Sequence, residues 1–206
     1  MLKFLTEGTG TLILVLAIGL TTDPIAAGLI LVTLLYIGFS ITEVHFNPAV
    51  SLGVWTIGRN SSAELLIRFA GQFSGAIGGA FIVSWISMLA YIPKPAVSTG
   101  MAEFILLEIL FSVLFVLLFL LLLYPLTEKK GSLSGLIIGL AFAGCYLVVE
   151  PVIGFGLHPA LNTGFTLVDY VQGGISFSHL PIYFFSPLIA ALLAAWAYKN
   201  VASRYA

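Results

Sequence analysis

Two four-residue tracts carry the side chains best placed to do chemistry: Asn47-Pro48-Ala49-Val50 and His158-Pro159-Ala160-Leu161. Asparagine is among the strongest helix N-caps, and proline suits the first helical position because its missing N–H would be unpaired there anyway. Each tract therefore opens a helix. Two such N-termini aimed at one point turn positive dipole ends and free N–H donors toward it, a setting that repels cations and offers hydrogen bonds to a neutral oxygen. Few other ionisable groups stand near: Glu43 and His45 before the first tract, His179 after the second, and Glu7 and Glu108 within apolar runs. Glu43, His45 and His158 could form an acid–base cluster, but no nucleophile, phosphate cradle or second set of metal ligands accompanies them at a recognisable spacing. An enzyme is therefore not expected, nor a metal or other cofactor. The single cysteine, Cys145, excludes an intrachain disulfide and a cysteine-based metal site and reads as a buried small hydrophobe.

The elements that must position these residues are membrane helices. Of the 206 residues 60% are hydrophobic and 8% charged, against roughly 25% charged in soluble domains, so the bilayer is the solvent. A net charge of -1 with scattered Lys and Arg leaves no footprint for nucleic acid. Six stretches are long and apolar enough to span, at 4–20, 25–42, 63–90, 102–126, 133–153 and 179–198. The first carries a lysine and an apolar run but only a weak cleavage site, and reads as a retained helix. Short punctuated connections such as Thr22-Asp23-Pro24, Pro93-Lys94-Pro95 and Glu128-Lys129-Lys130-Gly131 separate the stretches. Two longer connections, 43–62 and 154–178, stay apolar yet are too broken to span; these re-entrant candidates hold the two tracts. With the N-terminus inside, Lys3, Arg59, Arg68, Lys129, Lys130, Lys199 and Arg204 fall on the inner face and Lys94 alone outside. That asymmetry orients the chain in an inner or plasma membrane, multi-pass, with both termini cytoplasmic.

A gapless shift of 111 residues carries Gly28-Leu29 onto Gly139-Leu140, Pro48-Ala49 onto Pro159-Ala160 and Gly53 onto Gly164. The same shift sets Gly75 and Gly79 on Ser186 and Ala190, small residues at a spacing that lets helix backbones approach closely. A shift of 101 sets Glu7 on Glu108 and Thr11 on Ser112. Each half is thus three helices and one re-entrant loop: 1–91, a connection at 92–100, and 101–206. Three is odd, so the second half enters the membrane inverted, with the site at the midplane. The expected fold is an all-α membrane protein of six spanning helices and two half-helices in an inverted 3+3 repeat.

At these residues the sequence resembles the aquaporin and glycerol-facilitator family, the major intrinsic proteins. His45-Phe46-Asn47-Pro48-Ala49-Val50-Ser51-Leu52-Gly53 matches the family's first signature almost verbatim, and the resemblance extends to Glu7 with Gly10-Thr11, Gln72-Phe73-Ser74-Gly75, Glu108 and Ser186-Pro187-Leu188. It implies a passive channel for water and small neutral solutes of the glycerol type, assembled as a homotetramer in the lipid bilayer. It implies further that Glu7 and Glu108 hold the loop backbones by accepting their N–H groups, and that Asn47 offers its amide to passing solute.

The second signature departs from the family twice: its asparagine is His158, and the arginine three residues later is Leu161. Counted from the two signatures, the family's outer constriction falls on Ala27, Tyr146, Phe155 and Leu161, which carry no fixed charge. Loss of the arginine widens or greases the filter unless Tyr146 and Phe155 narrow it instead. The aliphatic replacement is similar to bacterial members associated with neutral arsenic species and other bulky solutes, so metalloid acids such as arsenite are the alternative cargo.

An imidazole at the midplane is disfavoured as a cation by burial and by both helix N-termini. His158 is expected to be neutral, to cap its half-helix and to hydrogen-bond solute; a pH gate and a replacement without selective role are the alternatives. Glu43 needs water at the inner mouth, Arg59 or a loop N–H as partner. His45 is expected to hydrogen-bond between loops, and His179 to sit at the interface. A coupled transporter is a rival because inverted repeats build those too. An adhesive membrane protein is disfavoured by the short, apolar outer loops.

Overall fold

The computed structural model describes residues 1–88, 91–126 and 131–204. Its helices are α1 (Leu2–Thr21), α2 (Pro24–Ile41), α3 (Pro48–Thr56), α4 (Ser62–Ser87), α5 (Met101–Leu123), α6 (Ser134–Ile153), α7 (Pro159–Val171) and α8 (Leu180–Ala202), the last preceded by a 3-10 turn at Ser176–His179. Among the described residues there is no strand. All but α3 and α7 are long and apolar enough to cross a membrane, so the fold is the all-α class expected, six spans and two half-helices. Lys129 and Lys130 of the charge pattern lie outside the described residues.

Local chemistry sets the starts. Asp23 accepts from the N–H groups of Ile25 and Ala26 ahead of Pro24. Ser61 and Glu64 cap each other's backbone at the head of α4. The α3 and α7 starts follow the same rule with Asn47 and His158. Ends differ by a few residues from the hydropathic stretches: α4 stops at Ser87 before a left-handed Met88, and α5 stops at Leu123.

Packing interlocks the halves. Helix α1 lies on α4 and α5 on α8, while α2 packs on α6 between halves. Each half-helix seats against the last helix of the other half, α3 on α8 and α7 on α4. Close approach is made by glycine. A Cβ on Gly75 would stand 2.1 Å from the Gly8 carbonyl oxygen, so α1 and α4 cross with backbones touching. Gly28 and Gly139, equivalent under the 111-residue shift, face one another: a Cβ on either would come within 2.7 Å of the other's carbonyl oxygen. Equivalent residues meeting reciprocally sit about a pseudo-two-fold axis.

Lys3 pairs with Glu64 at the heads of α1 and α4, and Arg59 lines a groove with Lys199 and Ser203 beside the ends of α5 and α8. Lys3, Arg59, Lys199 and Arg204 therefore gather at one end of the molecule with both termini. Lys94 sits at the other end, against Gly154.

Candidate functional site

The two re-entrant loops meet in a reciprocal clasp. Asn47 accepts the Ala49 N–H through Oδ1 at 2.8 Å and donates through Nδ2 to the Leu157 carbonyl at 3.0 Å. His158 accepts the Leu161 N–H through Nδ1 at 3.2 Å, and its Nε2 lies 2.7 Å from the Phe46 carbonyl. An N–H donor on one side and a carbonyl on the other assign the ring as neutral, protonated at Nε2. The 111-residue shift maps the two cross-loop bonds onto each other, while the caps differ by one residue, Asn47 accepting from Ala49 and His158 from Leu161. Phe46 and Leu157, whose carbonyls accept, have φ of 54° and 63°. These left-handed conformations cost energy in residues with side chains, and the clasp holds them. The Phe46 ring occupies the space that a Cβ on Gly10 would fill. Helices α3 and α7 thus start nose to nose, with Asn47 and His158 buried between them.

His158 was expected to touch solute as well as to cap. A neutral imidazole has one N–H, and here it is directed at the Phe46 carbonyl. Asn47 has two and spends one on Leu157, so its second N–H is the clasp's remaining side-chain donor.

The first loop is held from behind by Glu7, which accepts the N–H groups of His45 and Phe46 at 2.9 and 2.7 Å. Gln72 donates to the same carboxylate at 2.9 Å and to Ser51 Oγ at 2.9 Å. Arg68, counted from sequence among the basic residues of the inner face, is fully buried. Its guanidinium donates to Glu7 at 2.5 Å and to the Glu43 carbonyl at 2.7 Å, and lies 3.4 Å from the Glu43 carboxylate. Glu43 is therefore paired with Arg68 and with His45 Nε2 at 3.2 Å, not with Arg59, whose guanidinium lies 5.3 Å from the centre of the Tyr124 ring. His45 also reaches Ser51 Oγ through Nδ1 at 3.0 Å, so its side-chain hydrogen bonds fall within its own loop rather than between loops. Burial raises the Glu43 carboxyl, but the His45 ring, the Tyr124 hydroxyl and the Arg68 charge overcome this and lower it to about 2. Its side chain opens onto a cavity of about 370 Å³ with Tyr36, Phe39 and Ser134 in the wall. A sequence signal for Arg68 existed: Arg68, Gln72 and Gly75 share one helical face, the face that packs on α1.

Glu108 supports the second loop more sparsely. It accepts the Leu157 N–H at 2.9 Å, and its other oxygen finds no partner among the described residues. The shift that aligns the loops sets Arg68 on His179 and Gln72 on Tyr183, so the cation and the amide of the first half have no counterpart. Tyr183 donates to the Ile153 carbonyl instead.

Beyond the clasp lie the four positions at which the resemblance places the outer constriction. Ala27 is in the first turn of α2, Tyr146 on α6, Phe155 in the second loop and Leu161 in the first turn of α7; all four are 0% exposed. The Tyr146 and Phe155 rings meet at 4.8 Å between centroids, and Tyr146 donates to the Gly156 carbonyl at 2.6 Å. Phe142 backs Tyr146 at 4.5 Å. Cys145 is buried, in the wall of a groove with Phe111, Phe115 and Gly144.

Six spanning helices around two capped half-helices that meet tip to tip define a membrane channel rather than a receptor. Comparison with known proteins gives the family. Residues 3–198 match the Major intrinsic protein profile. Aquaporin AqpM of Methanothermobacter marburgensis is 29% identical over 87% of this chain and 76% of its own length. Glycerol uptake facilitator protein-like 6 of Lactiplantibacillus plantarum is 30% identical over 98% of this chain and 99% of its own. The X-ray structure of the aquaglyceroporin from Plasmodium falciparum has the same fold, with TM-score 0.79 and 20% identity over 96% of this chain and 93% of that one. The chain belongs to the major intrinsic protein family, and it is a passive channel for water and small solutes.

Proposed function

We propose that the lumen passes water and uncharged polyols up to about the size of glycerol through an uncharged outer constriction of Ala27, Tyr146, Phe155 and Leu161. The observation that carries this reading is the ring contact between Tyr146 and Phe155, 4.8 Å between centroids. Two aromatic rings narrow the passage where the family's arginine is replaced by Leu161, and a solute passes as they part. Ion exclusion then rests on the facing N-termini of α3 and α7, since no fixed charge stands at the constriction. Asn47 supplies the midplane hydrogen bond, and Glu7 and Glu108 keep the two loops in register. The halves 1–91 and 101–206, joined by 92–100, act as one pore-forming unit.

A second reading, passage of neutral metalloid acids such as arsenous acid or other bulky neutral solutes, is favoured by the buried aliphatic Leu161. The same ring contact counts against it. By the charge asymmetry the end with Lys3, Arg59, Lys199 and Arg204 faces the cytoplasm, in an inner or plasma membrane. We assign the chain to a homotetramer with one pore per subunit and to no catalysis.

Stopped-flow light scattering of proteoliposomes with water, glycerol and arsenous acid tests the reading, with Leu161→Arg alongside. Fast water and glycerol with slow arsenous acid is the expected outcome. Arsenous acid faster than glycerol, and abolished by the arginine, replaces it with the second reading.

A further inference from the structure

Tyr91 belongs to none of the four constriction positions, yet its ring packs on one of them, Phe155. It lies in the connection between α4 and α5, whose residues 91–100 are irregular. Its ring lies 5.6 Å from Phe155 at 70° and 4.7 Å from Phe165 at 52°. Phe165 follows Leu161 by four residues on α7, so it stands one turn farther from the clasp on the same face. Leaving the clasp, a path therefore meets Leu161, then Phe155 and Phe165, then Tyr91. Exposure changes along it: Leu161 and Phe155 are 0% exposed and Phe165 is 1%, whereas Tyr91 is half-buried. Tyr91 is the residue at which the closed stack of rings first meets the outside.

The connection is tied down. Ala96 N–H and Thr99 Oγ1 both donate to the Val152 carbonyl, at 2.9 and 2.8 Å, near the end of α6. Gly154 lies so near Lys94 that a Cβ would stand 2.9 Å from its carbonyl oxygen. The segment that carries Tyr91 is thus fastened to the loop that carries Phe155, and the ring is held by two aromatic contacts.

We propose that Tyr91 is a fifth residue of the outer constriction and sets the largest solute that the channel admits. This rests on the reading of Tyr146, Phe155 and Leu161 as the filter. A solute wider than water must displace Tyr91 from Phe155 and Phe165 before it reaches the Tyr146–Phe155 pair, so truncating the ring lowers the barrier most for the widest solutes.

The test is the permeability of proteoliposomes to a ladder of neutral solutes, glycerol, erythritol and xylitol, for the wild type, Tyr91→Ala, Tyr91→Trp and Phe155→Ala, each checked for a native retention volume. Tyr91→Ala is expected to raise flux of the first excluded polyol about tenfold relative to glycerol, about 1.4 kcal/mol off its barrier, and Tyr91→Trp to lower the limit. In Tyr91→Cys, a thiol reagent added outside is expected to slow glycerol. A wild-type limit in Tyr91→Ala with a raised limit in Phe155→Ala overturns the role of Tyr91 and leaves the four-residue filter standing. A wild-type limit in both overturns the filter reading as well.

Discussion

At the clasp His158 and Asn47 perform the same two tasks with unequal resources. Each caps its helix and each donates to the opposite loop, at 2.7 and 3.0 Å, but only the amide keeps a second N–H. His158→Asn is therefore expected to preserve cap and clasp and to raise water permeability several-fold, since a net hydrogen bond is worth about 0.5–1.5 kcal/mol; unchanged stopped-flow rates would refute this. The two buried carboxylates differ in the same way. Glu7→Gln removes the charge facing buried Arg68, which costs about 3–5 kcal/mol. Glu108→Gln retains an acceptor for the Leu157 N–H and strands no cation. Thermal melting in detergent should drop sharply for the first and little for the second, and equal drops would contradict the asymmetry. The proline tracts and both glutamates were legible in the sequence because their spacing repeats. The partners Arg68 and Gln72 were not read, because they lie on another helix and the repeat does not copy them.

Helix crossings depend on missing side chains. Where α1 meets α4, a methyl on Gly75 would be driven to 2.1 Å from the Gly8 carbonyl oxygen, an atom of backbone that cannot swing aside. Gly75→Ala is expected to destabilise by about 1–3 kcal/mol, the usual cost of overpacking. Gly144→Ala is its control, since nothing lies within 4 Å of the position a Cβ would take there. If the two variants melt alike, close backbone approach is not what holds α1 on α4. Small-residue spacing in α4 was readable beforehand. That its partner was α1, and that each half-helix would seat on the other half's last helix, was not, because spacing identifies a packing face without naming its mate.

Over the whole molecule, the buried ion-paired cluster among the described residues is Arg68 with Glu7 and Glu43. Glu43 is held at about 2 against an ordinary 4.5, so its contribution to stability is complete above pH 4.5 and is lost as pH falls toward 2. The side chain is 35% exposed, which screens the effect and keeps it small. Melting temperature should fall less over that acid window in Glu43→Gln than in the wild type; parallel curves would remove Glu43 from the cluster's energetics. Membrane residence, span number, the inverted repeat and the capped half-helices were all determined by sequence alone. Each follows from local composition or short spacing, which act without knowledge of distant partners. Tertiary structure alone decided that Arg68 is buried against Glu7, that the His158 N–H is taken by the Phe46 carbonyl, and that Tyr91 lies on Phe155. Those contacts join residues 61, 112 and 64 positions apart, and their geometry exists only once the helices have packed.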